Sequence, residues 1–263
     1  MKVTLRMLGS GTSQGVPVIG CRCETCMSLD ARDTRLRPSV LFTIGKTTIL
    51  VDTSSDFRQQ MLRNSVNRID AVLYTHHHFD HIGGFDDLRQ FNYLQNAAMR
   101  VYGLSETLQE LRKTFRYAFG EAMQIGGGVP SVILSAVAGG TTFSIDSVAV
   151  TAIPVMHGMM PIIGYRIGNV AYITDTNYIP ESSYALLEGL DVLVLDALRH
   201  QEHPTHFSLR ESVDAAGRIG ARRTYFTHIA HNIMHGRDND LLPENMEFSY
   251  DGLVITSDRS SHD

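Results

Sequence analysis

The sequence predicts an α/β fold, and two observations carry that expectation. Runs of apolar and β-branched residues alternate with segments of helical spacing through the second half of the chain, and several of these runs stop abruptly at a His or an Asp. With 263 residues there is length for a large core, and no shift of composition marks a boundary, so one domain over 1–263 is expected. The net charge of -5 and pI near 6.2 give no global positive field to gather long nucleic acids. Small substrates are therefore expected ahead of tRNA or DNA. No apolar run approaches membrane-spanning length and the first residues lack a signal-peptide core, which makes a cytoplasmic location the expectation. A homodimer is compatible with the sequence.

Taken in order, Val3 to Leu8 alternates as a strand and enters Gly9-Ser10-Gly11-Thr12-Ser13-Gln14-Gly15-Val16-Pro17, a loop dense in glycine and hydroxyls. Ser39 to Ile44 and Thr47 to Val51, joined by Gly45-Lys46, read as a hairpin ending at Asp52, a position from which a carboxylate could orient a ligand histidine. Asp56 to Asn64 has helical spacing, with Phe57, Met61 and Leu62 apolar. Phe85 to Leu94 and a segment from Ser105, with Leu108, Leu111 and Phe115 on one face, read as core helices. Between Arg116 and Pro130, an aromatic stretch precedes Gly126-Gly127-Gly128 and is a candidate substrate lid. Strands follow at Ser147 to Val155, Ile162 to Ile167, Val170 to Thr174, Asp191 to Leu195 and Arg223 to Phe226. Helices lie near Glu181 to Glu188 and Leu209 to Gly217.

The chemistry concentrates at Thr75-His76-His77-His78-Phe79-Asp80-His81-Ile82-Gly83-Gly84, directly after the apolar run Asp70 to Tyr74. In an extended loop, residues two apart project to the same side, so His76 and His78 can grip one ion while Asp80 and His81 face a second position. His77 should point away. A second cluster is Cys21-Arg22-Cys23-Glu24-Thr25-Cys26. Three thiols, the only cysteines in the chain, cannot all pair as disulfides. They suit zinc but are one ligand short, and three free buried thiols remain the alternative.

His76-x-His78-x-Asp80-His81-x-Gly83-Gly84 resembles the signature of the metallo-β-lactamase superfamily. The loop from Gly9 to Pro17 and the three cysteines resemble its phosphodiesterase branch, which holds tRNase Z and the PhnP-like cyclic phosphodiesterases of phosphonate breakdown. The resemblance implies a four-layer αββα sandwich of two mixed sheets with the metals at one edge. It implies two divalent cations, zinc or manganese, with His76, His78 and His157 on one, Asp80, His81 and His228 on the other, and Asp175 bridging. It also implies His231 as the fourth ligand of a structural zinc on Cys21, Cys23 and Cys26, with His235 in reserve. His206 resembles the non-ligand histidine that protonates the departing alkoxide; His200 and His203 are weaker choices. The implied activity is hydrolysis of small cyclic or nucleotide-like phosphodiesters, of phosphoribosyl 1,2-cyclic phosphate type. Hydroxide held by both ions and by Asp80 would attack phosphorus. Arg35, Arg37 and Arg89 are candidates for substrate phosphate. The alternatives are a tRNase Z-like endonuclease, a thioester or lactone hydrolase on the same metals, and a metal-dependent binding module without turnover.

Overall fold

The computed structural model describes residues 2–120 and 128–258. The Gly126-Gly127 part of the expected lid lies outside the described residues. Among the described residues, fourteen strands run in chain order as β1 Val3–Gly9, β2 Ser39–Ile44, β3 Thr47–Val51, β4 Ala71–Leu73, β5 Met99–Gly103, β6 Val132–Ala136 and β7 Thr142–Ile145. They continue as β8 Val148–His157, β9 Met160–Ile167, β10 Val170–Ile173, β11 Val192–Asp196, β12 Arg223–Thr227, β13 Met246–Phe248 and β14 Val254–Ser257. The helices are α1 Phe57–Arg63, α2 Phe79–Ile82, α3 Leu88–Gln95, α4 Ser105–Thr114, α5 Glu181–Tyr184, α6 Leu209–Ile219 and α7 His235–Asn239. The strands form two seven-stranded mixed sheets, in the orders β14-β1-β2-β3-β4-β5-β6 and β13-β12-β11-β10-β9-β8-β7.

Side-chain alternation builds the layers. In β10 and β11, Val170, Tyr172, Val192 and Val194 face the core between the sheets, where they meet Leu5, Phe42, Val51 and Leu73. Their neighbours Ala171, Ile173, Leu193 and Leu195 face outward and are covered by Leu209, Ala215 and Ala216 of α6. A strand apolar on both faces is what a parallel sheet under helices requires. The other sheet does the same: Leu50, Val72 and Val101 pack beneath Phe57 and Met61 of α1, Leu88 and Phe91 of α3, and Leu108 and Leu111 of α4. Each such side chain contributes about 1.5–3 kcal/mol by leaving water. The result is helix, sheet, sheet, helix, the metallo-β-lactamase arrangement.

Local signals set the ends of these elements. Ser208 caps α6, accepting from Glu211 N while the Glu211 carboxylate accepts from Ser208 N, and Gly220 closes the helix with a left-handed backbone. Parallel register then aligns strand ends along one edge. Ile173 pairs with Leu195 and Asp196 with Thr227, which brings Asp175, Asp196 and His228 to the same rim. Val51 pairs with Leu73, which sets Asp52 beside the loop carrying Thr75 and His76. Hydrogen bonds between the sheets hold the rims in register, from Tyr165 Oη to Tyr74 O at 2.8 Å and from Ile163 N to Thr75 O at 3.3 Å. No helix among the described residues is long and apolar enough to cross a membrane.

Candidate metal centre

The histidine motif is half loop and half helix, which corrects the expectation of an extended loop throughout. Thr75 to His78 are irregular, and α2 starts at Phe79 with Asp80 and His81 in its first turns. That change of backbone is what separates the two pairs of ligands. Gly84 ends the motif where a Cβ would stand 2.3 Å from Phe57 Cβ and 2.5 Å from Ser54 O, so only glycine lets α1 pack against it. His77 is half-buried, with its ring 5.7 Å from that of His78.

From the rims of both sheets, seven side chains converge. The ligand atoms of His76, His78 and His157 lie within 4.8 Å of one another, as do those of Asp80, His81, Asp175 and His228. Asp175 stands between the groups: one oxygen is 3.2 Å from His81 Nε2, and the other is 3.2 Å from His228 Nε2 and 3.8 Å from His76 Nε2. Asp80 Oδ2 is 3.3 Å from His81 Nε2 and 3.8 Å from His228 Nε2.

The residues fit a pair of cations. His76 Nε2, Asp80 Oδ2, His81 Nε2 and His228 Nε2 are buried without a hydrogen-bond partner, and they face each other. The opposite ring nitrogen is fixed in three cases: His81 Nδ1 by Asp52 at 2.8 Å, His157 Nδ1 by Thr205 O at 2.8 Å, and His76 Nδ1 by Thr75 Oγ1 at 3.0 Å. Outer partners of this kind present the inner nitrogen as a lone pair. The titrations agree. Burial and the His81 imidazole hold His76 well below the usual histidine range. Burial opposes charge on His81 too, yet Asp175, Asp80 and Asp52 draw it well above that range, and against burial Asp175 lifts His228 to about 10. Positive charge is favoured beside Asp80 and Asp175, while burial keeps His76, His78 and His157 neutral.

Three of the residues that build it sit in left-handed backbone, Asp52 at φ 63°, Asp175 at 55° and His228 at 60°, each directly or almost directly after a strand end. Asp and His tolerate this region better than most side chains, and strain of about 1–3 kcal/mol is typical where function fixes a residue there.

His206 is buried at the edge of the cluster. Its ring stacks on His228 at 4.6 Å and meets His157 at 4.7 Å. Its Nδ1 lies 3.2 Å from Asp196 Oδ2, while Asp196 Oδ1 turns to His228 Nδ1 at 3.7 Å. Asp196 thus holds His206 and stands close to His228, a role the sequence reading missed; its signal is an acid closing an otherwise wholly apolar strand, Val192 to Leu195. His203 lies beside His206, at 5.2 Å between rings, and His200 is exposed and pairs with Asp238.

The thiols also meet their partner. Cys21, Cys23 and Cys26 Sγ lie 3.3, 3.4 and 3.5 Å from His231 Nδ1. A tetrahedral zinc with sulfur at about 2.3 Å and nitrogen at about 2.0 Å has a sulfur–nitrogen edge of about 3.5 Å. The four groups fit such an ion. A hydrogen bond from the Cys26 backbone helps bring the Cys23 thiol down to about 7. His235 is elsewhere, buried against Phe248 and Tyr250.

The substrate-arginine expectation is corrected for Arg35. Its guanidinium is buried, pairs with Asp33 at 2.8 Å and donates to Ala230 O and Ile233 O, so it braces the segment bearing His228 and His231. Arg37 is held by Asp56, and Arg89 by Asp86 and Gly128 O, with none of these contacts made to the cluster.

The chain matches the family model of the beta-lactamase superfamily domain over residues 47–229. It is 42% identical to a solved diphosphatase from the PhnP family, with a TM-score of 0.91 and 98% of each chain covered. It is 38% identical to an octanoyltransferase of Porphyromonas gingivalis over 96% of this chain and 51% of that protein, so it spans about half the length of that relative. It is 27% identical to a ribonuclease Z of Mycolicibacterium gilvum over 80% of this chain and 83% of that one.

Proposed function

We propose that this member of the metallo-β-lactamase superfamily is a metal-dependent hydrolase that cleaves small phosphodiesters, cyclic or nucleotide-like, with phosphoribosyl 1,2-cyclic phosphates as the type. In this reading His76, His78 and His157 would hold one divalent cation and Asp80, His81 and His228 a second, with Asp175 placed between the two groups. When bound, such a pair supplies Lewis acidity that makes water nucleophilic near neutral pH and offsets charge on phosphoryl oxygens. The chain's own groups do the rest. Asp80 accepts a hydrogen bond from the attacking water and aligns it with phosphorus. As the P–O bond to the leaving group breaks, His206 passes its Nε2 proton to the departing oxygen, with Asp196 at Nδ1 holding the ring in place. Cys21, Cys23, Cys26 and His231 hold a structural zinc in this reading, away from the chemistry.

The observation that carries this proposal is His206, lodged between His157 and His228 with a carboxylate behind it. A proton donor beside the cluster serves a poor alkoxide leaving group and is not needed for the thiolate of a thioester. The test is turnover by the manganese- or zinc-loaded protein of bis(p-nitrophenyl) phosphate and ribosyl cyclic phosphates. Failure on all of them sinks it. A nucleoside diphosphate belongs in the same screen, because the PhnP-family neighbour is a diphosphatase. Similarity to ribonuclease Z supports a second reading, tested with precursor tRNA bearing a 3′ trailer.

A further inference from the structure

We propose that Asn177 is a positioning residue for the proton donor: its side chain fixes the turn after His157 to the loop that delivers His206. This deepens the phosphodiesterase reading and rests on it. Asn177 is half-buried, two positions after Asp175, and its backbone is held from the end of β8. Asn177 N donates to Met156 O at 3.1 Å, and Tyr178 O accepts from Met156 N at 2.9 Å. Thr176 Oγ1 adds a bond to the same Met156 carbonyl at 3.0 Å. From that base the side-chain amide reaches two neighbours. Its Oδ1 accepts from Gly158 N at 2.7 Å, and its Nδ2 donates to Pro204 O at 3.0 Å. One side chain thereby joins the residue after a clustered histidine to the residue two before His206.

The loop needs such a tie. Gln201, Glu202 and Pro204 are exposed, so burial of apolar surface does not place this stretch. Arg199 donates to the carbonyls of Gln201 and Glu202, and Thr205 N and Oγ1 face His203 Nδ1, so these bonds stay inside the loop. Past His206, Phe207 is fastened twice: its N–H donates to Thr176 O at 2.7 Å, and its carbonyl accepts from Leu198 N at 3.0 Å. Ahead of His206, the fastening is to the β8–β9 turn. Pro204 O takes Asn177 Nδ2, and Thr205 O takes His157 Nδ1 at 2.8 Å. Gly158 leaves room for the approach, since a Cβ there would stand 2.9 Å from Thr205 Cγ2. An amide suits the position because Gly158 N can only donate and Pro204 O can only accept. Aspartate would set an oxygen against Pro204 O. Without the amide, His206 rides on a stretch hinged at Phe207, with Asp196 still at its Nδ1. A reacting group misplaced by about 1 Å loses about 10²-fold in rate.

The test reads the leaving group and the loop separately. On the manganese-loaded protein, Asn177→Ala should lower kcat about 10–100-fold for a ribosyl cyclic phosphate, whose leaving oxygen needs the proton. For bis(p-nitrophenyl) phosphate, whose p-nitrophenolate departs without one, the loss should stay under about threefold. Asn177→Gln keeps both polar atoms on a longer arm and should recover part of the loss. In a His206→Ala background, Asn177→Ala should change neither rate further, as expected of a residue that acts through His206. On the metal-free protein, hydrogen exchange followed by mass spectrometry should quicken about 3–10-fold over residues 199–207 and stay unchanged over α6. Equal losses on the two substrates would overturn the role, and so would a full further loss in the His206→Ala background or unchanged exchange. If no diester is turned over while exchange still quickens in Asn177→Ala, the tie stands and the phosphodiesterase reading falls.

Discussion

Asp52 accepts the Nδ1–H of His81 at 2.8 Å with both side chains shut off from solvent, and the same carboxylate takes Thr75 N and Thr75 Oγ1 at 2.9 and 2.8 Å. One acid therefore fixes both a ligand ring and the turn into the motif. Asp52→Ala should weaken divalent-metal affinity by about 10–100-fold, read as metal retained after dialysis against graded chelator. Full retention would show that His81 needs no such support.

Asp80→Ala should remove turnover while the protein stays folded, since the lost group serves the site and not the core. Activity and melting temperature on the same sample decide it. A large fall in melting temperature would assign Asp80 to structure.

For His206→Ala, kcat should drop by about 10²–10⁴ on substrates with an alkoxide leaving group. The loss should be much smaller with p-nitrophenolate, which departs without a proton. Equal losses on both would remove His206 as the proton donor.

Cys23→Ser should lower zinc content by one per chain and the melting temperature by several degrees, because a closed zinc site contributes to folding. Unchanged zinc and stability would leave the thiols free.

His235 gives a pH prediction away from the cluster. Burial first, then Arg32 and Arg35, hold it down to about 4, below the unfolded value near 6.5. The unfolded chain thus takes up a proton before the folded one does. Its contribution to stability is complete above pH 6.5 and is lost as pH falls toward 4. Relative to His235→Phe, which fits among Phe248 and Tyr250, the wild type should lose urea stability across that window. A constant difference would mean that the ring is not neutral inside.

Much of this was legible in the chain. The hairpin at Ser39–Ile44 and Thr47–Val51 and the helices from Phe57, Ser105 and Leu209 announce themselves by period, and the last also by its Ser208 cap. The ligand set is legible because His76, His78, Asp80 and His81 share one short motif, and His157, Asp175 and His228 each stand at or just past a strand end. What escaped had weaker local signals. β5, with Arg100 and Tyr102 alternating out of the core, and β6, half-exposed at a sheet edge, lack a clean apolar period, and β13 is three residues long. Arg35 reads as a surface charge because its partners are Asp33, two positions away, and carbonyls 195 and 198 positions away. The left-handed backbone at Asp52, Asp175 and His228 has no sequence mark except that Asp and His accept it.

Three positions separate His228, at the catalytic rim, from His231, over the thiols, and Arg35 clamps the carbonyls of Ala230 and Ile233 on the same stretch. One short ribbon is thus shared by two centres with opposite vulnerabilities. In the proposed reading, an oxidant that touches only sulfur would slacken a ligand of the reactive pair, and thiol damage would register as silenced hydrolysis although no cysteine takes part in the reaction.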